Sequence, residues 1–204
     1  MNEFSRRNFL KGCGLAATIS LTSGVYADTL SEDSAVLKKK FNYTHLIYDA
    51  NLDFSKSFAK SLKTGTKAKI YKVDNDISDI YFKLTRDLKT RPNSVIAGLS
   101  SYETFFVMQN LLKDYGFVLF HSGTHAIQNG VISHEITTSS SMSEKINKSL
   151  KSGEWKQNLA LNLSSFVFER DSQKFKLITP NKGEQEMRLC SWIMASRNVK
   201  GAVI

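Results

Sequence analysis

From Tyr43 onward, short apolar runs alternate with stretches whose apolar residues recur every three or four positions. Residues 45–48 (His-Leu-Ile-Tyr) form an apolar run closed by Asp49, which predicts a buried strand. Phe54, Phe58, Ala59 and Leu62 follow at helical spacing, with Asp53 placed to cap and lysines on the opposite side. Residues 68–73 read as a second strand. Ile77, Ile80, Tyr81 and Leu84 mark a second helix that must stop before Pro92. The third unit is the clearest. A strand over 94–99 runs into Ser100-Ser101-Tyr102-Glu103, where a serine three residues ahead of a glutamate has the form of a capping box. A helix from 102 to about 115 then ends at Gly116, and 117–120 is apolar throughout, as a fourth strand.

Strand and helix alternating over short connections is the pattern of a parallel sheet with helical crossovers, and wholly apolar strands fit burial on both faces. The expected fold is therefore α/β, a mainly parallel three-layer sheet of Rossmann-like or flavodoxin-like kind. Beyond residue 120 the rhythm changes. Asn129-Gly130 between apolar flanks signals a hairpin. Helical spacing returns over 143–163 with a break at Ser152-Gly153, and 165–169, 174–179 and 186–195 read as strands. These predict an antiparallel extension of the same domain, which spans 43–204 without a linker. Residues 28–42 are polar and charged and read as a tail.

Charge and cysteine content narrow the classes of function. The 204-residue chain has a formal net charge of +9. Setting aside Arg6, Arg7, Lys11 and Glu3 leaves 25 basic and 18 acidic residues, a net +7. Lys38, Lys39 and Lys40 form the only tight basic run, and neither a recognition motif nor a basic stripe with interleaved aromatics is present, which argues against nucleic acid. Cys13 lies ahead of the predicted domain, so Cys190 has no partner for an internal disulfide. Its setting, Arg-Leu-Cys-Ser-Trp-Ile-Met-Ala over 188–195, is that of a small buried apolar residue. Trp155 and Trp192 read as anchors of a core or an interface.

The first 27 residues carry a different message. Ser5, Arg6, Arg7, Phe9, Leu10 and Lys11 stand in the order of an export motif, with Asn8 at its free position. An apolar stretch of ten residues follows over 12–21, too short for the roughly 20 residues of a membrane-spanning helix. Val25-Tyr26-Ala27 then supplies small residues at −3 and −1 of a cleavage site between Ala27 and Asp28. This segment resembles a twin-arginine (Tat) signal peptide. The resemblance implies handling by the Tat translocase, export in folded form, a periplasmic location and no membrane span after cleavage. Proteins exported this way often carry a cofactor or travel with a partner that does.

Candidate chemistry comes from two places. In open parallel sheets ligands bind beyond the carboxyl ends of the strands, which here carry Asp49, Ser100, Ser101 and Tyr102. The serines also open a helix, where free N–H groups favour a phosphate or carboxylate. No GxGxxG or GxxxxGK[ST] occurs, so neither a dinucleotide nor a P-loop nucleotide is expected, and no GxSxG marks a nucleophile. The second place is the hairpin. A two-residue Asn129-Gly130 turn sets His125 opposite His134, with Cβ atoms about 5 Å apart, close enough for both rings to bind one ion. His121 or Glu135 could add a ligand, though Glu135 points to the other face of a regular strand. Imidazole suits zinc or copper. The functional expectation is a noncatalytic accessory or binding protein serving a co-exported redox enzyme. Its rivals are a metal-assisted enzyme using the histidines and a small-ligand or anion-binding protein.

Overall fold

The structure, a computed structural model, describes residues 39–40, 42–74, 76–197 and 199. The export motif at 5–11 and the cleavage site at Ala27 and Asp28 lie outside the described residues. Chain order gives β1 (Lys39–Lys40), β2 (His45–Asp49), α1 (Asp53–Lys63), β3 (Lys69–Val73), α2 (Ser78–Thr90), β4 (Val95–Ser101) and α3 (Tyr102–Asp114). Then come β5 (Phe117–Gln128), β6 (Val131–Ser139), α4 (Ser140–Leu150), α5 (Trp155–Leu163), β7 (Val167–Phe168), β8 (Ser172–Pro180) and β9 (Met187–Ser196). Seven strands form one mixed sheet in the order β3-β2-β4-β9-β5-β6-β8, and β1 pairs with β7 separately. The class is α/β, as the alternation predicts.

The parallel majority does not form. Among the described residues, parallel pairing is confined to β2 with β3 and β2 with β4. The pairs β4–β9, β9–β5, β5–β6 and β6–β8 are antiparallel. The cause is β9, which enters between β4 and β5 and takes the place that the strand–helix rhythm assigns to residues 117–120. Its burial suits a central strand: eight consecutive residues, Leu189–Ser196, are buried. β5 does not stop at Phe120 but runs 12 residues into the hairpin.

Each helix turns its apolar positions to the sheet. One core cluster joins Phe58, Ala59 and Leu62 of α1, Met142 and Ile146 of α4 and Leu159 and Leu163 of α5 to Leu46, Leu99, Ile127, Ile136 and Ile193 of the strands. A second joins Ile80, Leu84 and Leu88 of α2 and Met108, Leu111 and Leu112 of α3 to Ile47, Ile96, Trp192 and Met194. Two helix starts differ by one residue from expectation. Asp53 is the first helical residue of α1 and lies in its first turn, behind Leu52 as cap. Ser101, not Ser100, caps α3 by accepting from Thr104 N. Among the described residues no helix is long and apolar enough to cross a membrane.

A β-bulge decides which side chains of β5 meet which core. Leu119 pairs with Met194 and His121 with Ile193, so Phe120 is the extra residue. Phe117, before the bulge, belongs to the α2–α3 cluster, whereas Ile127, after it, belongs to the α1–α4–α5 cluster. In a regular strand these odd-numbered residues would share one face. The bulge thus turns His121, Gly123, His125 and Ile127 under α5, the kind of re-aiming that bulges provide.

Candidate functional site: a buried histidine–serine network

Asn129 and Gly130, with φ of 53° and 74°, form the hairpin turn, the conformation that Asn-Gly adopts most readily. The register that follows sets His125 opposite His134 and Gly123 opposite Ile136. On the other flank of β5, Ser191 of β9 lies opposite Gly123. Three histidines and a serine are thereby gathered on one face, all with no exposed surface.

They form a single file of hydrogen bonds. His121 Nε2 lies 3.0 Å from Ser191 Oγ, and the same hydroxyl lies 3.0 Å from His125 Nε2. His125 Nδ1 is 2.7 Å from His134 Nδ1, and His134 Nε2 is 3.0 Å from Thr179 Oγ1. Each link takes one proton, and with neutral rings and the Ser191 hydroxyl donating to one of its two histidines, two polarities remain. If Nε2–H of His121 donates to Ser191, the serine donates to His125, His125 Nδ1–H to His134 and His134 Nε2–H to Thr179. That polarity leaves only a lone pair at His121 Nδ1, the ring atom without a partner. The reverse would leave a buried N–H there, at a cost of about 1–3 kcal/mol. The network therefore favours the first assignment.

Trp155, at the start of α5, closes the network from above. Its ring lies 4.6 Å from that of His125 and 5.3 Å from that of His134. Its indole Nε1 donates to Glu184 Oε1 at 3.2 Å, and the other oxygen of Glu184 takes Lys156 Nζ at 2.6 Å. A carboxylate on the β8–β9 connection thus holds the tryptophan in place. Burial dominates the electrostatics. It lowers the pKa of His121 to about 3 and that of His134 to about 4, although the Glu184 charge pulls His134 back upward. His125 is held well below its ordinary value by burial first, then by His134, His121 and Lys156.

Gly123 is the space that the network requires. A Cβ there would sit 2.6 Å from Ser191 Oγ, 2.7 Å from Ile136 Cδ1 and 3.0 Å from His125 Nε2. Gly123→Ala is expected to cost about 1–3 kcal/mol through overpacking. Urea denaturation at neutral pH checks this, and an unchanged midpoint would mean that the network yields without cost.

The histidines meet one another and do not converge on a common point. Two nitrogens ligating one zinc ion tetrahedrally stand about 3.3 Å apart, whereas His125 and His134 share a proton at 2.7 Å. Among the described residues no group of three or more His, Cys, Asp or Glu is arranged to hold a metal ion. Glu135, exposed on the opposite face, pairs with Lys176 at 2.5 Å.

The strand-end residues are brought together, but their hydrogen bonds are internal. Asp49 is buried, and its Oδ2 accepts from Ser101 N at 3.3 Å and from Thr104 Oγ1 at 3.2 Å, while Oδ1 accepts from Asn51 N at 3.0 Å. The protein's own carboxylate thus occupies the anion position at the start of α3. Ser100 Oγ accepts from Trp192 Nε1 at 3.3 Å. Tyr102 stays partly exposed, with the Arg188 guanidinium 4.7 Å over its ring. Cys190 is buried beside Thr124, and burial pushes its thiol up to about 11.

Sequence reading found the histidine pair but missed Ser191, Thr179, Trp155 and Gly123. Ser191 did leave a signal. A hydroxyl in the middle of an apolar run must find a buried partner. Compared with protein-family models, with curated proteins and with solved structures, the chain matches none.

Proposed function

We propose that this chain is an exported, periplasmic accessory or binding protein, noncatalytic, that serves a co-exported redox enzyme. One observation carries the noncatalytic part. The candidate site residues His121, His125, His134 and Asp49, together with Ser191, are buried and hydrogen-bonded to one another or to the backbone. None of them lines the cleft of about 380 Å³ bounded by Val118, Leu119, Phe120 and Arg170. Nor do they line the one of about 470 Å³ bounded by Ser122, Thr124, Glu135 and Lys174. A metal site on the histidines, or an anion site at Asp49 and the start of α3, would need these groups free to meet a ligand. The Ser5–Lys11 motif with the Ala27–Asp28 site supports export through the Tat translocase, and the redox association rests on the usual cargo of that route.

The test is a clean deletion in the native organism, combined with affinity recovery of a tagged chain from the periplasm. The deletion is expected to lower the assembled amount of one exported oxidoreductase several-fold, and the tagged chain to bring that enzyme with it. Unchanged assembly and activity of every periplasmic redox enzyme would overturn the proposal.

A further inference from the structure

The file of hydrogen bonds stops at His121. Its Nδ1 is buried without a partner, and so is Thr138 Oγ1. Neither residue has any exposed surface. The hairpin ladder ends on the pair Ser122 and Thr137, so one step further His121 faces Thr138. Pairing of β6 with β8 runs unbroken from Val131 to Ser139. Thr138 therefore stays on the side of His134 and Ile136, the side that His121 takes after the Phe120 bulge. Beyond this point the strands part, because β6 gives way to α4 after Ser139 and β5 bulges at Phe120. Two unpartnered polar atoms thus face each other where the hairpin opens.

The aromatic side chains around them cannot satisfy them. The Phe166 ring lies 6.2 Å from that of His121, Phe168 lies 5.0 Å from Phe166, and Phe120 lies 5.0 Å from Phe168. A buried polar group left unmet bears its full desolvation cost, so a ligand is called for. Chemistry selects it. In the polarity that the file favours, Nδ1 presents a lone pair and needs a donor, while the Thr138 hydroxyl both donates and accepts. One ring nitrogen and one hydroxyl are too few to hold a metal ion. An anion would meet the lone pair head-on. A water molecule can donate to Nδ1 and bond Thr138 as well, and two polar partners are the least that a buried water needs. Phe120 and Ser139, next in sequence to the two residues, line the cleft of about 380 Å³, which brings solvent to within one residue of the site.

We propose that a single water molecule is enclosed between His121 Nδ1 and Thr138 Oγ1, as a fixed part of the core that completes the file at its open end. One enclosed water is not bulk solvent, so burial still keeps the ring neutral. A crystal structure of the processed protein, at a resolution that shows ordered water, tests this. One water bonded to both atoms is expected. A direct bond between the two side chains, or a dry gap, would overturn the proposal. Thr138→Val keeps the shape and removes the hydroxyl. It should displace the water and lower the folding equilibrium constant roughly two- to tenfold, the worth of an ordinary buried hydrogen bond. An unchanged or higher constant would mean that the hydroxyl had no partner to lose. Nitrogen NMR of His121 gives an independent reading. Nδ1 should be unprotonated and hydrogen-bonded in the native chain, and should shift toward a bare ring nitrogen in Thr138→Val. A protonated Nδ1 would remove the lone pair on which the site rests.

Discussion

Between pH 6.5 and about 4 the protein is expected to lose most of its folding free energy, well before its carboxylates matter. All four of its histidines are completely buried. Burial lowers His45 and His134 to about 4 and His121 to about 3, and holds His125 well below its ordinary value. In the unfolded chain each returns to about 6.5. Below that pH the unfolded state binds protons that the folded state refuses, so stability falls as pH falls through 6.5 and goes on falling toward the folded values. Each such group contributes about 1.4 kcal/mol per pH unit, and four together reach on the order of 5 kcal/mol per unit. A typical domain has about 5–15 kcal/mol in all, which places acid unfolding near pH 5. The lowered carboxylates Asp74, Asp76, Asp87, Glu135 and Glu144 act in the same direction but only below about pH 4. Urea denaturation at pH 7.5, 6 and 5 separates the two groups. A midpoint constant down to pH 5 would mean that the histidines are hydrated in the folded state.

Trp155→Ala carries the second large effect. The side chain is 3% exposed and packs on both rings of the histidine pair. Its removal is expected to cost about 3–5 kcal/mol. It also opens a space above His125 and His134, so water reaches rings that burial keeps neutral, and both should titrate closer to 6.5 in the variant. Trp155→Phe keeps a ring in place while losing the Glu184 hydrogen bond, and should cost well under half as much. Thermal or urea denaturation reads the stability, and histidine NMR titration reads the hydration. A stability loss without any movement of the two histidines would show that other side chains close over the pair.

The local half of this architecture was legible in the residues, and the long-range half was not. The 3.6-residue spacing of Phe58, Ala59 and Leu62 and the Asn129-Gly130 turn act within a few residues of the chain, and both gave the right elements. The hairpin register followed from the turn alone, which is why His125 and His134 could be paired. Strand order is another matter. Nothing local to residues 187–196 says that they pair with 95–101 on one side and 117–127 on the other. The continuous burial of that strand was a hint of centrality, but the βαβ rhythm outweighed it. The Phe120 bulge was equally hidden, because it depends on what β9 offers across the ladder. Ser191 was therefore out of reach as a partner for His121 and His125. The strand-end residues are a different case, because sequence could not show that Asp49 accepts from Ser101 N and Thr104 Oγ1 at the start of α3.

The central position of β9 also sets an order of events during synthesis. Until residues 187–196 leave the ribosome, β4 and β5 have no strand between them. The chain then holds two partial sheets, each with a bare edge of unpaired backbone groups facing the gap. Such edges attract any extended segment, so a nascent chain in this state is prone to wrong pairing. Pairings across roughly 60 to 100 residues of sequence also make closure slow. Closure of the sheet therefore waits for residues 187–196 to be made. A carrier that accepts only folded cargo would have to wait for one strand, and any truncation ahead of Met187 should remove the whole sheet from its reach.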